Sequence, residues 1–253
     1  MSGRDLSTGA AAPARPGRRL RLAARGALLA GLTLLAACGR EGSDQETLRR
    51  LSLTLVDQLR LVTGTQEEGE PPRQLSRAEI NDIDSALIGI APPGEPLAYF
   101  VAFAAKPDGK VTYLNPSMQS VTLQGSAVHG VHSLGDQRIG YRADLAEDFL
   151  SAPRPVREWP AQVTRVIRFL DGVGRPFSRT FVCAPRPIGP TQLTLADVDF
   201  ELIEVEETCR SPYRSFTNRY WADEETGFVW KSLQWIGPNR GSLEVTILTP
   251  FAL

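Results

Sequence analysis

The chain has 253 residues, 42% of them hydrophobic, with 28 Lys plus Arg against 29 Asp plus Glu and a net charge of −1. That near-neutral balance, with lysine only at Lys106, Lys110 and Lys231, leaves no basic patch to hold nucleic acid. Three cysteines are too few for a disulfide-dense scaffold, and the length suits one domain with a sizeable core.

Residues 1–37 read as an address. Six arginines (Arg4, Arg15, Arg18, Arg19, Arg21, Arg25) stand against the single acid Asp5, and an apolar run from Ala27 to Ala37 follows. The run is shorter than the roughly 20 residues that span a bilayer but suits the core of a signal peptide. It ends in the lipobox Leu35-Ala36-Ala37-Cys38, which predicts cleavage before Cys38 and diacylglyceryl attachment to its sulfur. Arg18-Arg19 invites a twin-arginine reading, but Leu20-Arg21-Leu22 fits that pattern poorly. Gly39, rather than Asp, follows the lipidated Cys and favours the outer membrane. Cleavage removes six arginines and one acid, so 216 residues remain and the net charge falls to −6.

Residues 38–50 are expected to include a polar, lipidated tether, followed by one globular domain over 51–253. Leu48, Leu51, Leu55, Leu59 and Val62 recur at helical spacing, and Thr63-Gly64-Thr65 ends that pattern. Ser76-Arg77-Ala78-Glu79 is a capping box, which predicts a second helix through Leu87 that stops at Ala91-Pro92-Pro93-Gly94. After Pro96 the period changes. Leu97–Ala104, Lys110–Leu114, Val121–Leu123, Ala161–Phe169, Ser178–Cys183, Phe200–Val205, Phe216–Trp221, Phe228–Trp235 and Leu243–Leu248 read as short strands between Gly, Pro, Asp and Asn. Asp108-Gly109 is a hairpin signal, and only Ala143–Leu150 looks helical in this half. The pattern predicts a mainly β fold: a single antiparallel sheet, curled or forming an open half-barrel, with one or two N-terminal helices.

Asn218–Pro238 is the densest stretch. Apolar and aromatic residues alternate on both sides of Asp223-Glu224-Glu225-Thr226-Gly227, predicting a hairpin in which Asp223 accepts local backbone hydrogen bonds and Gly227 takes a positive φ. Trp221, Trp230 and Trp235 place three of the four tryptophans there. With Cys38 lipidated, Cys183 and Cys209 are left as an even pair in an oxidising space. A disulfide is predicted between them, with the Pro-rich connection Ala184–Pro190 letting the chain turn.

Tyr220-Trp221, Gly227-Phe228-Val229-Trp230-Lys231-Ser232 and Gln234-Trp235-Ile236-Gly237-Pro238 together resemble the C-terminal signature of the YjbF/GfcB family. Phe181-Val182-Cys183, Glu206-Glu207-Thr208-Cys209 and Asn218 fall upstream in the family's order, so the resemblance covers the chain from about residue 90. The segment Gly130-Val131-His132-Ser133-Leu134-Gly135-Asp136 departs from the family's Thr-Arg-Gly-like step. The resemblance implies an outer-membrane lipoprotein associated with group 4 capsule and exopolysaccharide production.

Candidate chemistry is sparse. His129 and His132 fall on opposite faces of a strand, and no ligand is spaced to complete a metal site, so neither metal nor cofactor is expected. Asp82 with Asp84, Asp197 with Asp199, and Glu206 with Glu207 read as solvated neighbours. A glycosidase would need two carboxylates converging across a groove. No Gly-x-Ser-x-Gly, phosphate loop or dinucleotide fingerprint occurs. Glycines at 125, 130, 135 and 140 predict turns and bulges, and Gly130, His132, Gly135 and Asp136 form the candidate interaction surface. The expectation is therefore a non-enzymatic accessory factor in capsule or exopolysaccharide export or assembly. It is held by its lipid at the periplasmic face of the outer membrane, with polysaccharide or export proteins as partners. The alternative is a carrier or binding module for a lipid or other apolar ligand, similar to LolA/LolB, which requires a hollow curl.

Overall fold

A computed structural model describes residues 73–134, 138–143 (backbone) and 148–251. Cys38 and the helical pattern at Leu48–Val62 lie outside the described residues. Helix α1 spans Arg77–Asn81, and its Ser76 cap forms both halves of the box: Ser76 Oγ accepts from Glu79 N, and Glu79 Oε2 accepts from Ser76 N at 2.9 Å. It does not run to Leu87 as expected. Leu87–Ala91 is strand β1, an Ile-rich run buried on both faces, and pairing on both sides overrides helical propensity.

The remaining strands are β2 Ala98–Ala105, β3 Lys110–Leu114, β4 Ser120–Gln124, β5 Ala127–His132, β6 Arg138–Ala143 and β7 Val163–Leu170. They are followed by β8 Pro176–Leu195, β9 Val198–Arg210, β10 Ser215–Ala222, β11 Val229–Gly237 and β12 Gly241–Thr249. Ala143–Leu150 is not helical where it is described. Ala143 closes β6 opposite Arg165, and 149–150 form a turn in which Leu150 N donates to Asp148 Oδ1.

All twelve strands form one antiparallel sheet in the order β5-β4-β3-β2-β1-β12-β11-β10-β9-β8-β7-β6. Because β12 returns beside β1, the meander curls almost into a ring. Its two ends, β5 and β6, are consecutive in sequence and lie side by side. Two cores fill the curl. One joins Phe149, Ile167, Phe169, Phe181, Val205, Tyr220 and Trp235; the other joins Ile88, Phe100, Val121, Val128, Ile236 and Val245. Strand β11 serves both, with Trp235 in the first and Ile236 in the second. Gln234 ties β5 to it, accepting from Val128 N at 3.0 Å and donating to Ser126 O at 2.7 Å. A third cluster, Leu75, Ile80, Leu87 and Leu248, seats α1 on the sheet.

The long hairpin β8–β9 corrects a second expectation. Ala184–Pro190 is not a turn; it continues β8 opposite Thr208 to Ile203 of β9. Strand β7 pairs with β8 only as far as Cys183, so among the described residues the other side of 184–195 has no partner strand. Pro185, Pro187 and Pro190 oppose Glu207, Val205 and Ile203, the same alternating set in which Cys183 faces Cys209 across 4.0 Å. That close spacing marks the pairs that exchange no backbone hydrogen bonds, so each proline nitrogen faces the unpaired side and costs the ladder nothing. The register shift between Pro187 and Gly189 keeps Pro190 in this set.

Candidate functional site

The Asn218–Pro238 hairpin forms as its residues dictate. Asp223 Oδ1 accepts from Thr226 N and Thr226 Oγ1 at 2.8 and 2.7 Å, and Gly227 adopts φ +69°. No side chain fits at that glycine, since a Cβ there would lie 1.8 Å from the carbonyl oxygen of Arg154. The segment Arg154–Trp159 docks on the loop, with Val156 N donating to Glu224 O at 2.9 Å and Trp159 Nε1 to Arg154 O at 3.0 Å. Trp159 then stacks on Phe149, their centroids 3.9 Å apart, and both meet Tyr220 edge-on.

Behind this wall lies a buried polar network. Arg165 is 2% exposed and donates through Nε and Nη2 to Glu207 Oε1 at 2.9 and 2.7 Å, and through Nη1 to Asp148 Oδ1 at 3.3 Å. Glu207 is 0% exposed. Its other oxygen accepts from Asn218 Nδ2 at 2.8 Å and from the Tyr220 hydroxyl at 2.7 Å. The Phe149 ring covers the guanidinium at 5.1 Å. Burial pushes the Asp148 carboxyl above its ordinary value, and burial with the Glu207 charge pushes Tyr220 well above its own. Glu207 is thus not the solvated neighbour of Glu206 expected from the sequence; Glu206 faces Arg186 and Arg219 instead. The missed signal was strand alternation: Val205, Glu207 and Cys209 share a face, and the two apolar members show that it points inward. Asp148 and Glu207 do converge, but on one guanidinium beside a void of only about 10 Å³, where no glycan enters.

Cys183 and Cys209 are joined in a disulfide between β8 and β9, both buried. Their sulfurs lie within 4.8 Å of the Glu207 carboxylate. Bonded to each other, they offer no thiolate to a metal. Of the candidate interaction surface, Gly130 opposes Thr122 and exposed His132 opposes Ser120 on the sheet-end strand β5. Gly135 and Asp136 lie outside the described residues. Gly125 makes the tight turn before β5, its φ +57° and the nearby Leu150 carbonyl excluding a side chain.

At one end of the curl the first core reaches solvent. Trp235 stacks on Phe216 at 4.4 Å and meets Phe169 and Phe181 edge-on, and Phe169 leads to Phe177 at 5.5 Å. Phe177 is 36% exposed and Tyr213 79%. The Arg179 guanidinium lies 4.9 Å from the Tyr213 ring centre and 5.5 Å from that of Phe177, and Arg214 lies 5.8 Å from that of Trp235.

Residues 50–248 match the family described as group 4 capsule polysaccharide lipoprotein, YjbF and GfcB. The chain belongs to this family. A solved structure of similar fold is the hypothetical lipoprotein YmcC from Escherichia coli (K12): 17% identity, 72% of this chain and 92% of that one covered, TM-score 0.59. No curated protein matches the chain.

Proposed function

We propose that this YjbF-family lipoprotein is a non-enzymatic accessory factor in the export or assembly of a surface polysaccharide, anchored through Cys38 at the periplasmic face of the outer membrane. The observation that carries the reading is the family match over 50–248, joined to the lipobox Leu35-Ala36-Ala37-Cys38. The interior of the first core supports a scaffold over a carrier. Phe149, Trp159, Tyr220, Phe181 and Trp235 fill it ring against ring, where carriage of an acyl chain needs a hollow of several hundred Å³. A groove of about 530 Å³ exists, but Val182, Ala184, Arg186 and Thr208 line it on the face opposite the disulfide.

The test is deletion of the gene in the producing cell, with expected loss of capsule or exopolysaccharide and restoration by the wild-type gene. Unchanged polysaccharide would overturn the reading. Cys38→Ala protein is expected to leave the membrane fraction.

A further inference from the structure

We infer that the exposed aromatic and arginine cluster at Phe177, Arg179, Tyr213 and Arg214 is a binding site for an acidic saccharide. Tyr213 is the most exposed large apolar side chain among the described residues, yet it sits on an ordered turn. Ser211 Oγ accepts from Tyr213 N and Arg214 N at 3.3 and 3.2 Å, and Ser211 N donates to Arg214 O at 2.9 Å. The turn fixes the backbone beneath the ring, and the ring offers an apolar face to the C–H face of a sugar.

Charge selects the ligand class. Arg175 is neutralised by Asp171 at 2.9 Å, and Arg186 and Arg219 face glutamates. Arg179 and Arg214 have no carboxylate within salt-bridge reach among the described residues, although the chain beyond residue 37 has a net charge of −6. Each rests over aromatic rings, which hold the planar fork while its N–H groups remain free for a carboxylate. Two forks with no carboxylate partner among the described residues, beside an exposed ring on an acidic protein, fit a pyranose bearing a carboxylate. A membrane surface fits less well, because the exposed apolar side chains that flank Arg179 are two rings, Phe177 and Tyr213.

The inference deepens the proposed function by naming the ligand class, and its test is independent of polysaccharide output. Mature protein lacking the lipid is titrated with tetragalacturonate, with neutral maltotetraose and with phosphatidylglycerol vesicles. Binding is read by tryptophan fluorescence and calorimetry. The expected result is saturable binding of tetragalacturonate alone, weakened by added salt. Tyr213→Ala and Arg179→Ala/Arg214→Ala should each weaken it about tenfold or more, the effect of removing one charged hydrogen-bonding or stacking partner, with unchanged thermal midpoint. No binding at millimolar tetragalacturonate, equal binding of the neutral sugar, vesicle binding without sugar binding, or full affinity in both variants would each overturn the site. A deletion strain with normal polysaccharide would instead overturn the proposed function while leaving the binding result standing.

Discussion

Asn218 Oδ1 accepts the backbone N–H of Trp235 at 2.8 Å, taking the place of a ladder partner just beyond the last paired residues, Arg219 and Leu233. Its Nδ2 donates to Glu207, so one amide holds a strand position and a buried charge together. Asn218→Ala leaves both groups short of a partner and is expected to destabilise by about 2–4 kcal/mol, at roughly 1–3 kcal/mol per buried unsatisfied group. Urea unfolding measures this, and a change under about 0.5 kcal/mol, the size typical of neutral surface substitutions, would contradict it.

Arg165→Met strands Glu207 in the core. The expected loss is about 3–5 kcal/mol, the cost of an uncompensated buried charge. In Arg165→Met/Glu207→Gln no charge is left beside Tyr220, so the double variant should be more stable than the arginine variant alone. Additive losses in the two-residue cycle would show that the pair is not coupled.

Gly227 and Gly109 both have positive φ, +69° and +78°, but only Gly227 has backbone pressed against it. Gly109→Ala should cost about 1–2 kcal/mol, the left-handed strain alone. Gly227→Ala adds a collision with Arg154 and should also release the segment carrying Trp159. Proteolysis within 154–160 of the Gly227 variant but not the Gly109 variant is the outcome to look for.

The Asp148 carboxyl is held above its ordinary value of 3.8, chiefly by burial. Between that value and its raised native one, the folded chain binds a proton that the unfolded chain releases. The contribution to stability is therefore full below 3.8 and is lost as pH rises through the native value. Asp148→Asn should remove this component, so the difference in urea midpoint between wild type and variant changes as pH rises from 3.8 through the raised native value. A pH-independent difference would refute the assignment.

The Cys183–Cys209 bridge closes a loop of 26 residues, worth about 3.5 kcal/mol in the chain-entropy model. Unfolded, non-reduced protein lacking Cys38 should show no free thiol. Cys183→Ala/Cys209→Ala should lose stability of that order, as read from denaturant midpoints.

Most of the strands were legible because alternation and turn chemistry agree locally. Lys110–Leu114 matches its strand end for end, and Asp223 and Gly227 shape the loop their types demand. Errors fell where distant pairing decides. Leu87–Ala91 is compatible with a helix until β12 and β2 flank it, and the prolines of 184–190 stop a strand only if both its sides are needed. Glu207 was hidden by its identity: a carboxylate next to Glu206 reads as solvated unless its parity with Cys209 is followed. Arg165 and Asp148 gave no signal, since their meeting depends on the curl of the sheet.

The prolines on β8 have a consequence for life on a membrane surface. A lipid-anchored protein is confined to two dimensions, where neighbouring copies meet often and an open strand can recruit another. Along 184–190 the unpaired side of β8 offers carbonyls at Pro185, Pro187 and Pro190 but no N–H from any of them. An incoming strand would find half its bonds unanswerable, so this border resists fibre-like stacking while leaving oxygen acceptors open to hydroxyl-rich molecules.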